Sequence, residues 1–220
     1  MFLVKYSRPD IANSVRELSK ANDGATEKYF QGLLRTIEYV LDSREKGLRY
    51  ETSMNFKTAW QLKAYCDSDF AGDKETRRSV SGYCICLFDC LICWKSKGQK
   101  HVTLSSTEAE YVAVAEVCTE IMFICMILWF LGIKIELPIM VHCDNVGAIF
   151  LGYNAKISQR TKHIDIKYRY VGEWVEDGIV KIVFVKSENN VSDILTKNTS
   201  QDTFNRHREK YLADIPKSKP

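Results

Sequence analysis

At 220 residues, 45% apolar and with a formal charge of +3, the chain suits one medium domain, or one domain plus an appendage, with a sizeable core. Its mild basicity permits nucleic-acid binding without arguing for it. The apolar run in Met1–Asp10 is too short for a signal peptide. The most apolar stretch, Ile121–Ile133, has 13 residues, short of the ~20 a membrane span needs. The expectation is a soluble, non-secreted protein with no membrane partner, in which this stretch is a buried helix.

In chain order, Ser7-Arg8-Pro9-Asp10 leads into a short helix over Ile11–Leu18, with proline near its first turn. Asn22-Asp23-Gly24 ends it. Thr26–Leu41 has the apolar spacing of a second amphipathic helix, and Gly47–Thr52 reads as a strand. Two helices and a strand bury little surface alone, so residues 1–60 are expected to be a small helical appendage on a main domain at 61–198. Leu62–Cys66, Arg77–Leu87 and Leu91–Ser96 read as three antiparallel strands, the last two joined by a turn at Phe88-Asp89-Cys90.

A long helix follows. Ser105 with Glu108, and Thr107 with Glu110, match the capping-box spacing, and Gly132 marks the end. Ala113, Val114, Val117, Ile121, Ile124, Cys125 and Leu128 recur on one face. Then come a strand over Pro138–Cys143, short and long helices over Asn145–Leu151 and Gln159–Glu176, a strand over Ile179–Val185 and a helical turn over Val191–Thr196. Residues 199–220 read as a polar helix over about Gln201–Leu212 and a disordered tail. Strands joined through helices favour parallel pairing, so the expected fold is α/β: a mixed five-stranded sheet, three antiparallel strands and then parallel additions, flanked by helices.

Cys84, Cys86, Cys90 and Cys93 lie close enough to raise zinc, but no second C-x-x-C or histidine pair follows at finger spacing. In a strand, Cys84 and Cys86 are same-face residues, and buried thiols are the expectation.

Four acids stand where such a sheet gathers ligands. Asp67 ends the first strand and Asp144 the fourth; Asp193 follows the last strand; Glu110 lies three and four residues before Ala113 and Val114, on the apolar face of the long helix. A core-facing carboxylate is costly without a cation or proton to meet it. Converged carboxylates repel one another, and two hard divalent cations, Mg²⁺ above all, relieve this and suit phosphodiester chemistry. Singly, each acid also reads as a turn, cap or surface residue. Asp69 has the strand parity of Asp67 and is an alternative to it.

Tyr65-Cys66-Asp67-Ser68-Asp69-Phe70-Ala71-Gly72, then Arg77–Tyr83, Leu104–Tyr111, Asp144-Asn145, Arg160–Ile166 and Ser192–Lys197 come in the order found in the ribonuclease H domain of copia-type LTR retrotransposons, which the chain resembles over roughly Ala64–Lys197. Residues 7 to about 50 resemble the connection between reverse transcriptase and ribonuclease H in those polyproteins. The resemblance implies an RNase H-like fold and endonucleolytic hydrolysis of the RNA strand of RNA–DNA hybrids, leaving 5′-phosphate and 3′-hydroxyl ends. It implies two Mg²⁺ (or Mn²⁺) ions on Asp67, Glu110, Asp144 and Asp193, and the polyprotein's own reverse transcriptase domain as partner. It also implies a place in the cytoplasm, within a virus-like particle, or in the nucleus.

Substrate contact must be basic and sense 2′-hydroxyls. The candidates are Arg77, Arg78, Ser79, Lys95, Lys97, Arg160, Lys162 and His163, each with a solvated-face alternative. His142 shares strand parity with Asp144 and is a lesser candidate for supporting it. Two departures stand out: Ser187–Asn190 lacks the histidine many ribonucleases H carry before the last acid, and the chain has no Tyr-x-Asp-Asp polymerase motif. The alternatives to an active enzyme are an inactive relic, a nucleic-acid-binding module, or a DNA-directed nuclease or transferase on the same fold.

Overall fold

A computed structural model describes residues 1–21, 24–50, 59–154 and 162–215, the side chains of 162–168 excepted. In chain order the elements are α1 (Phe2–Tyr6), α2 (Ala12–Ser19), α3 (Glu27–Asp42), β1 (Lys46–Leu48), β2 (Leu62–Asp69), β3 (Val80–Leu87), β4 (Cys90–Gly98), α4 (Ser106–Phe130), β5 (Ile139–Cys143), α5 (Val146–Tyr153), α6 (Lys162–Glu176), β6 (Val180–Phe184), α7 (Asp193–Thr196), α8 (Gln201–Tyr211) and β7 (Leu212–Asp214).

The main sheet has five strands in the order β4-β3-β2-β5-β6. β2, β3 and β4 are antiparallel; β5 runs parallel to β2, and β6 parallel to β5. This is the mixed, five-stranded RNase H-like arrangement expected from the sequence. Phe88 and Asp89, at φ 48° and 67°, form the two-residue turn between β3 and β4, so Cys90 belongs to the strand and pairs with Leu87. Primed turns of this kind match the twist of the flanking strands.

Two cores sandwich the sheet. On one face α4 lays Ala113, Val114, Val117 and Ile121 against Ala64, Cys66 and Val141, all buried. Alternation along β2 sends the intervening residues to the other face, where Ala12, Cys84, Leu91, Ile194, Leu195 and Tyr211 form a second core under α2, α7 and α8. Cys84 and Cys86 are ordinary members of that core. Tyr211 anchors it, donating its hydroxyl to the Val191 carbonyl at 2.6 Å.

The start of α4 departs in part from expectation. Ser105 caps it, accepting from Glu108 N at 3.1 Å, and the Glu108 carboxylate accepts from Leu104 N at 2.7 Å. Thr107 already lies inside the helix and forms no second box; its hydroxyl reaches Asn145 Oδ1 at 3.5 Å. The end of α4 falls where Gly132 predicts, with Phe130 its last residue, but the packing of its last turns is a correction. The helix is 25 residues long, because the alanine- and valine-rich turns before Ile121 extend the apolar stretch. By length and composition alone it could cross a membrane, although its first half is packed in the core. The expected burial of Ile121–Ile133 holds on one face only: Leu128 is buried and Ile124 and Cys125 pack against the core, but Phe123, Met126, Trp129 and Phe130 are exposed, Phe130 by 89%.

The N-terminal segment is tied into the second core. Arg8 and Asp10 are buried and paired at 2.8 Å. Arg8 also donates to Ser43 Oγ at 2.7 Å, and the Tyr39 hydroxyl donates to Asp10 at 2.6 Å, so α3 closes over the pair. Of the strand expected over Gly47–Thr52 only Gly47 and Leu48 lie in a strand, the short β1, while Arg49 and Tyr50 follow it outside any strand and residues 51–52 lie outside the described residues; β1 pairs with β7, where a disordered tail was expected.

Gly82 of β3 sits directly under α7. A Cβ there would lie 2.5 Å from Thr196 Cγ2 and 2.9 Å from Leu195 Cβ. Such overlap moves backbone at a cost of about 1–3 kcal/mol. Gly82→Ala is therefore expected to lower the denaturant midpoint and, because α7 carries Asp193, to weaken divalent-ion binding. Urea melts and metal titration check both.

Candidate metal centre

The four acids arrive from four elements. Asp67 shares strand parity with Tyr65 and turns toward α7, where it is fully buried. The Thr196 hydroxyl donates to Asp67 Oδ2, and Lys197 Nζ lies 3.5 Å from Oδ1. Glu110, one turn into α4, is 6% exposed and reaches across the end of β2, accepting from Ser68 N at 3.0 Å. Its second oxygen accepts from the Cys143 thiol at 3.9 Å. Asp144, just past β5, accepts from the Ser187 hydroxyl at 2.7 Å. Asp193, the first residue of α7, is buried with Oδ1 at 3.3 Å from Lys197 Nζ.

Asp144 is the hinge of the arrangement. Potential ligand atoms of Asp67, Asp144 and Asp193 lie within 4.8 Å of one another, as do those of Glu110, Cys143 and Asp144. Asp69, the alternative first acid, joins neither group; it is half-buried as the last residue of β2, paired with Val80, and its carbonyl accepts from Gly72 N at 3.3 Å.

The electrostatics are those of a site built for positive charge. Burial, and then the charge of Asp67 with Cys143 and Asp144 beside it, pushes the Glu110 carboxyl up to about 10. Burial and Asp67 raise Asp193 to about 7, opposed by Lys197. The Lys197 ammonium is raised in turn despite its own desolvation, because Asp67 and Asp193 face it. One lysine leaves the cluster short of cations. Convergent carboxylate oxygens are the donor set of hard divalent ions, so the residues present fit Mg²⁺ or Mn²⁺.

The sequence reading missed the groups that hold these acids. Lys197 was visible only as the end of the Ser192–Lys197 string. The Ser187 bond to Asp144, and the Asn190 side chain donating to the Cys66 carbonyl at 2.9 Å, need the loop after β6 to pass beside β2 and β5. His142 does not support Asp144: its Nδ1 lies 3.0 Å from the Ala64 carbonyl and its ring stacks on Tyr65 at 4.3 Å.

Of the substrate candidates, Arg77, Arg78, Lys95 and Lys97 are exposed. Lys95 extends over the Tyr83 ring, 5.8 Å from its centroid. Ser79 is a correction: it is fully buried, bonds Thr103 Oγ1 at 2.8 Å and accepts from Ala71 N at 3.0 Å, so it braces the loop instead of meeting a ligand. Arg160 and the side chains of Lys162 and His163 lie outside the described residues.

Fold and site together define an α/β domain of RNase H-like architecture with an acidic cluster able to hold metal. No family model matches the chain. It is 37% identical over 214 residues, 97% of its length, to the retrovirus-related Pol polyprotein from transposon RE1 of Arabidopsis thaliana. To the corresponding polyprotein from transposon TNT 1-94 of Nicotiana tabacum it is 32% identical over 209 residues, 95% of its length. The chain belongs to the retrovirus-related Pol polyproteins of copia-type transposons. It spans 14% and 15% of the length of those two relatives. Among solved structures, LC11-RNase H1, isolated from compost by a metagenomic approach, is similar over 66% of this chain and 96% of its own, at 14% identity and a TM-score of 0.45.

Proposed function

We propose that the chain is a metal-dependent ribonuclease H that hydrolyses the RNA strand of RNA–DNA hybrids during reverse transcription. The observation that carries the reading is the meeting of Asp67, Glu110, Asp144 and Asp193 at one end of the sheet, with Asp144 common to two groups of ligand atoms. Membership of the Pol polyprotein family supports it.

In this reading Asp67, Glu110, Asp144 and Asp193 hold two Mg²⁺ ions, with Mn²⁺ an alternative. When bound, such ions supply an activated water and neutralise charge at the leaving oxygen. The new bond is water oxygen to phosphorus, and the bond from phosphorus to the 3′-oxygen breaks, leaving a 5′-phosphate and a 3′-hydroxyl. Thr196 fixes the Asp67 carboxylate and Ser187 fixes that of Asp144, so both are oriented before the ions arrive. Lys197 offsets the charge of Asp67 and Asp193 in the metal-free protein. Arg77, Arg78, Lys95 and Lys97, with Arg160, Lys162 and His163, would contact phosphates and 2′-hydroxyls, positioning the duplex without reading its sequence. The polyprotein's reverse transcriptase domain is the proposed partner. It would cover the apolar stripe of α3, where Phe30, Leu33, Ile37 and Leu41 stand exposed.

The test is cleavage of matched labelled duplexes in Mg²⁺. RNA in an RNA–DNA hybrid is expected to be cut, with duplex DNA of the same sequence intact. Cutting of duplex DNA in preference to the hybrid would assign the site to a DNA-directed nuclease.

A further inference from the structure

The second half of α4 is apolar all round. Between Glu120 and Lys134 no residue carries a charge, yet only one side of this stretch is packed, through Ile121, Ile124, Cys125 and Leu128. The opposite side faces solvent. Phe123, Met126 and Ile127 are exposed, and Trp129 and Phe130 keep 80% and 89% of their surface in water. An aromatic side chain offers about 150–250 Å², so these five present on the order of 700 Å² of apolar surface. The largest apolar patch of a typical monomer is about 300–600 Å². Each partner of a stable interface buries about 800 Å².

The exposed positions follow helical spacing. Phe123, Met126, Ile127 and Phe130 stand at i, i+3, i+4 and i+7 and form one stripe. Such a stripe matches itself when a second helix runs antiparallel about the midpoint between Met126 and Ile127. Each Phe123 then meets a Phe130, and each Met126 meets an Ile127. Glu116 continues the stripe seven residues before Phe123, and Lys134 stands exposed four residues past Phe130. The same two-fold operation lays Lys134 of one copy along the turn of the other that carries Glu116 and Glu120. Glu120 already accepts from the Tyr83 hydroxyl at 3.0 Å, which gives the pairing with Lys134 to Glu116.

We infer that this face of α4 is the seam of a symmetric homodimer, two copies of the chain packed antiparallel along Phe123–Phe130. Three observations carry it together: the area is that of a stable interface, the apolar stripe is its own complement, and the charges at its two ends are opposite. A two-fold axis covers the same patch on both copies and leaves no second face open. Aromatic residues and methionine are those enriched at such seams. The face shares no residue with the acid cluster, and the inference stands whether or not that cluster cuts hybrids.

The experiment is sedimentation equilibrium of the full chain from about 1 to 100 µM, with circular dichroism to show that each variant keeps its fold. A monomer–dimer equilibrium with a micromolar dissociation constant is expected. Phe130→Glu, on an exposed position, is expected to weaken it by about a hundredfold or more, because a two-fold seam feels each change twice. Lys134→Glu is expected to weaken it by about fivefold or more, and adding Glu116→Lys to that variant to restore it. A chain that stays monomeric throughout would overturn the inference, as would an open series of larger species or a dimer indifferent to Phe130→Glu. Failure of Glu116→Lys to restore the Lys134→Glu dimer would overturn the antiparallel pairing. A monomer that binds only the polyprotein's added polymerase region, and loses it in Phe130→Glu, would assign the face to that region instead.

Discussion

Replacing Glu110 by Gln is expected to abolish hybrid cleavage and, in the same protein, to raise the melting temperature measured in EDTA. The two effects share one cause. Glu110 is buried beside Asp67 and Asp144, and its carboxyl is pushed up to about 10 from an ordinary value of 4.5. At pH 7 the unfolded chain holds this group ionised and the folded metal-free chain holds it protonated, so folding takes up a proton at a free-energy cost. Glutamine keeps the shape and an oxygen for Ser68 N, and removes that cost. The gain is expected to be about 1–3 kcal/mol, or roughly 2–12 °C.

The sign of the pH dependence follows. A carboxyl with a raised folded pKa favours folding below its unfolded value, and that advantage is lost as pH climbs through the window above it. For Glu110 the window opens at 4.5 and runs to about 10; for Asp193 it runs from 3.8 to about 7. Metal-free protein should thus lose stability from about pH 4 toward pH 7, less steeply in Glu110→Gln. Melting curves across that range, with EDTA or Mg²⁺, check both statements, with Mg²⁺ raising the wild-type midpoint most at neutral pH. A Glu110→Gln variant that is less stable than wild type in EDTA would sink this account of the cluster.

Asp10→Ala is expected to be the most damaging single change outside the acid cluster, at about 3–5 kcal/mol. Arg8 and Asp10 are 4% and 3% exposed. Removing the carboxylate leaves the Arg8 guanidinium buried with, among the described residues, hydrogen bonds only to the Ser43 hydroxyl and, at 3.3 Å, to the Ser43 carbonyl. The Tyr39 hydroxyl loses its acceptor at the same time. Because α2 packs beside α7, the loss should also loosen Asp193. Urea denaturation of Asp10→Ala should show a midpoint lowered by a large fraction of the total stability. A change under about 1 kcal/mol would mean that the N-terminal segment is only an accessory to the domain.

Much of this was legible because strands and core helices carry strong periodic signals. The five strands, the turn at Phe88-Asp89 and the core face of α4 follow from alternation and helical spacing. Glu110 stood out because a carboxylate on an apolar stripe has few structural explanations. Asp67 was preferred to Asp69 because the apolar run ends just before it; β2 in fact runs on through Asp69, and what separates the two is that ligand atoms of Asp67 gather with those of Asp144 and Asp193, whereas Asp69 joins no such group among the described residues. What was not legible depends on contacts between distant segments. Lys197, Ser187, Thr196 and Asn190 are ordinary loop and helix-end residues until α7 and the loop after β6 are laid beside β2. The pairing of β1 with β7 joins residues more than 160 apart. Ser79 reads like a substrate hydroxyl beside two arginines, and only the packing of Thr103 against it shows that it faces inward. The exposed end of α4 was misread because hydropathy reports composition and not what covers it.

The most direct test of the central claim is cleavage of a labelled RNA–DNA hybrid by the folded chain in Mg²⁺, beside Asp144→Asn. Asp144 belongs to both groups of ligand atoms, so a single isosteric change strikes the whole centre. The account predicts Mg²⁺-dependent cutting of the RNA strand and its loss, by about 10³-fold or more, in a variant that folds as well as wild type. Cutting that survives Asp144→Asn, or that proceeds in EDTA, would contradict it.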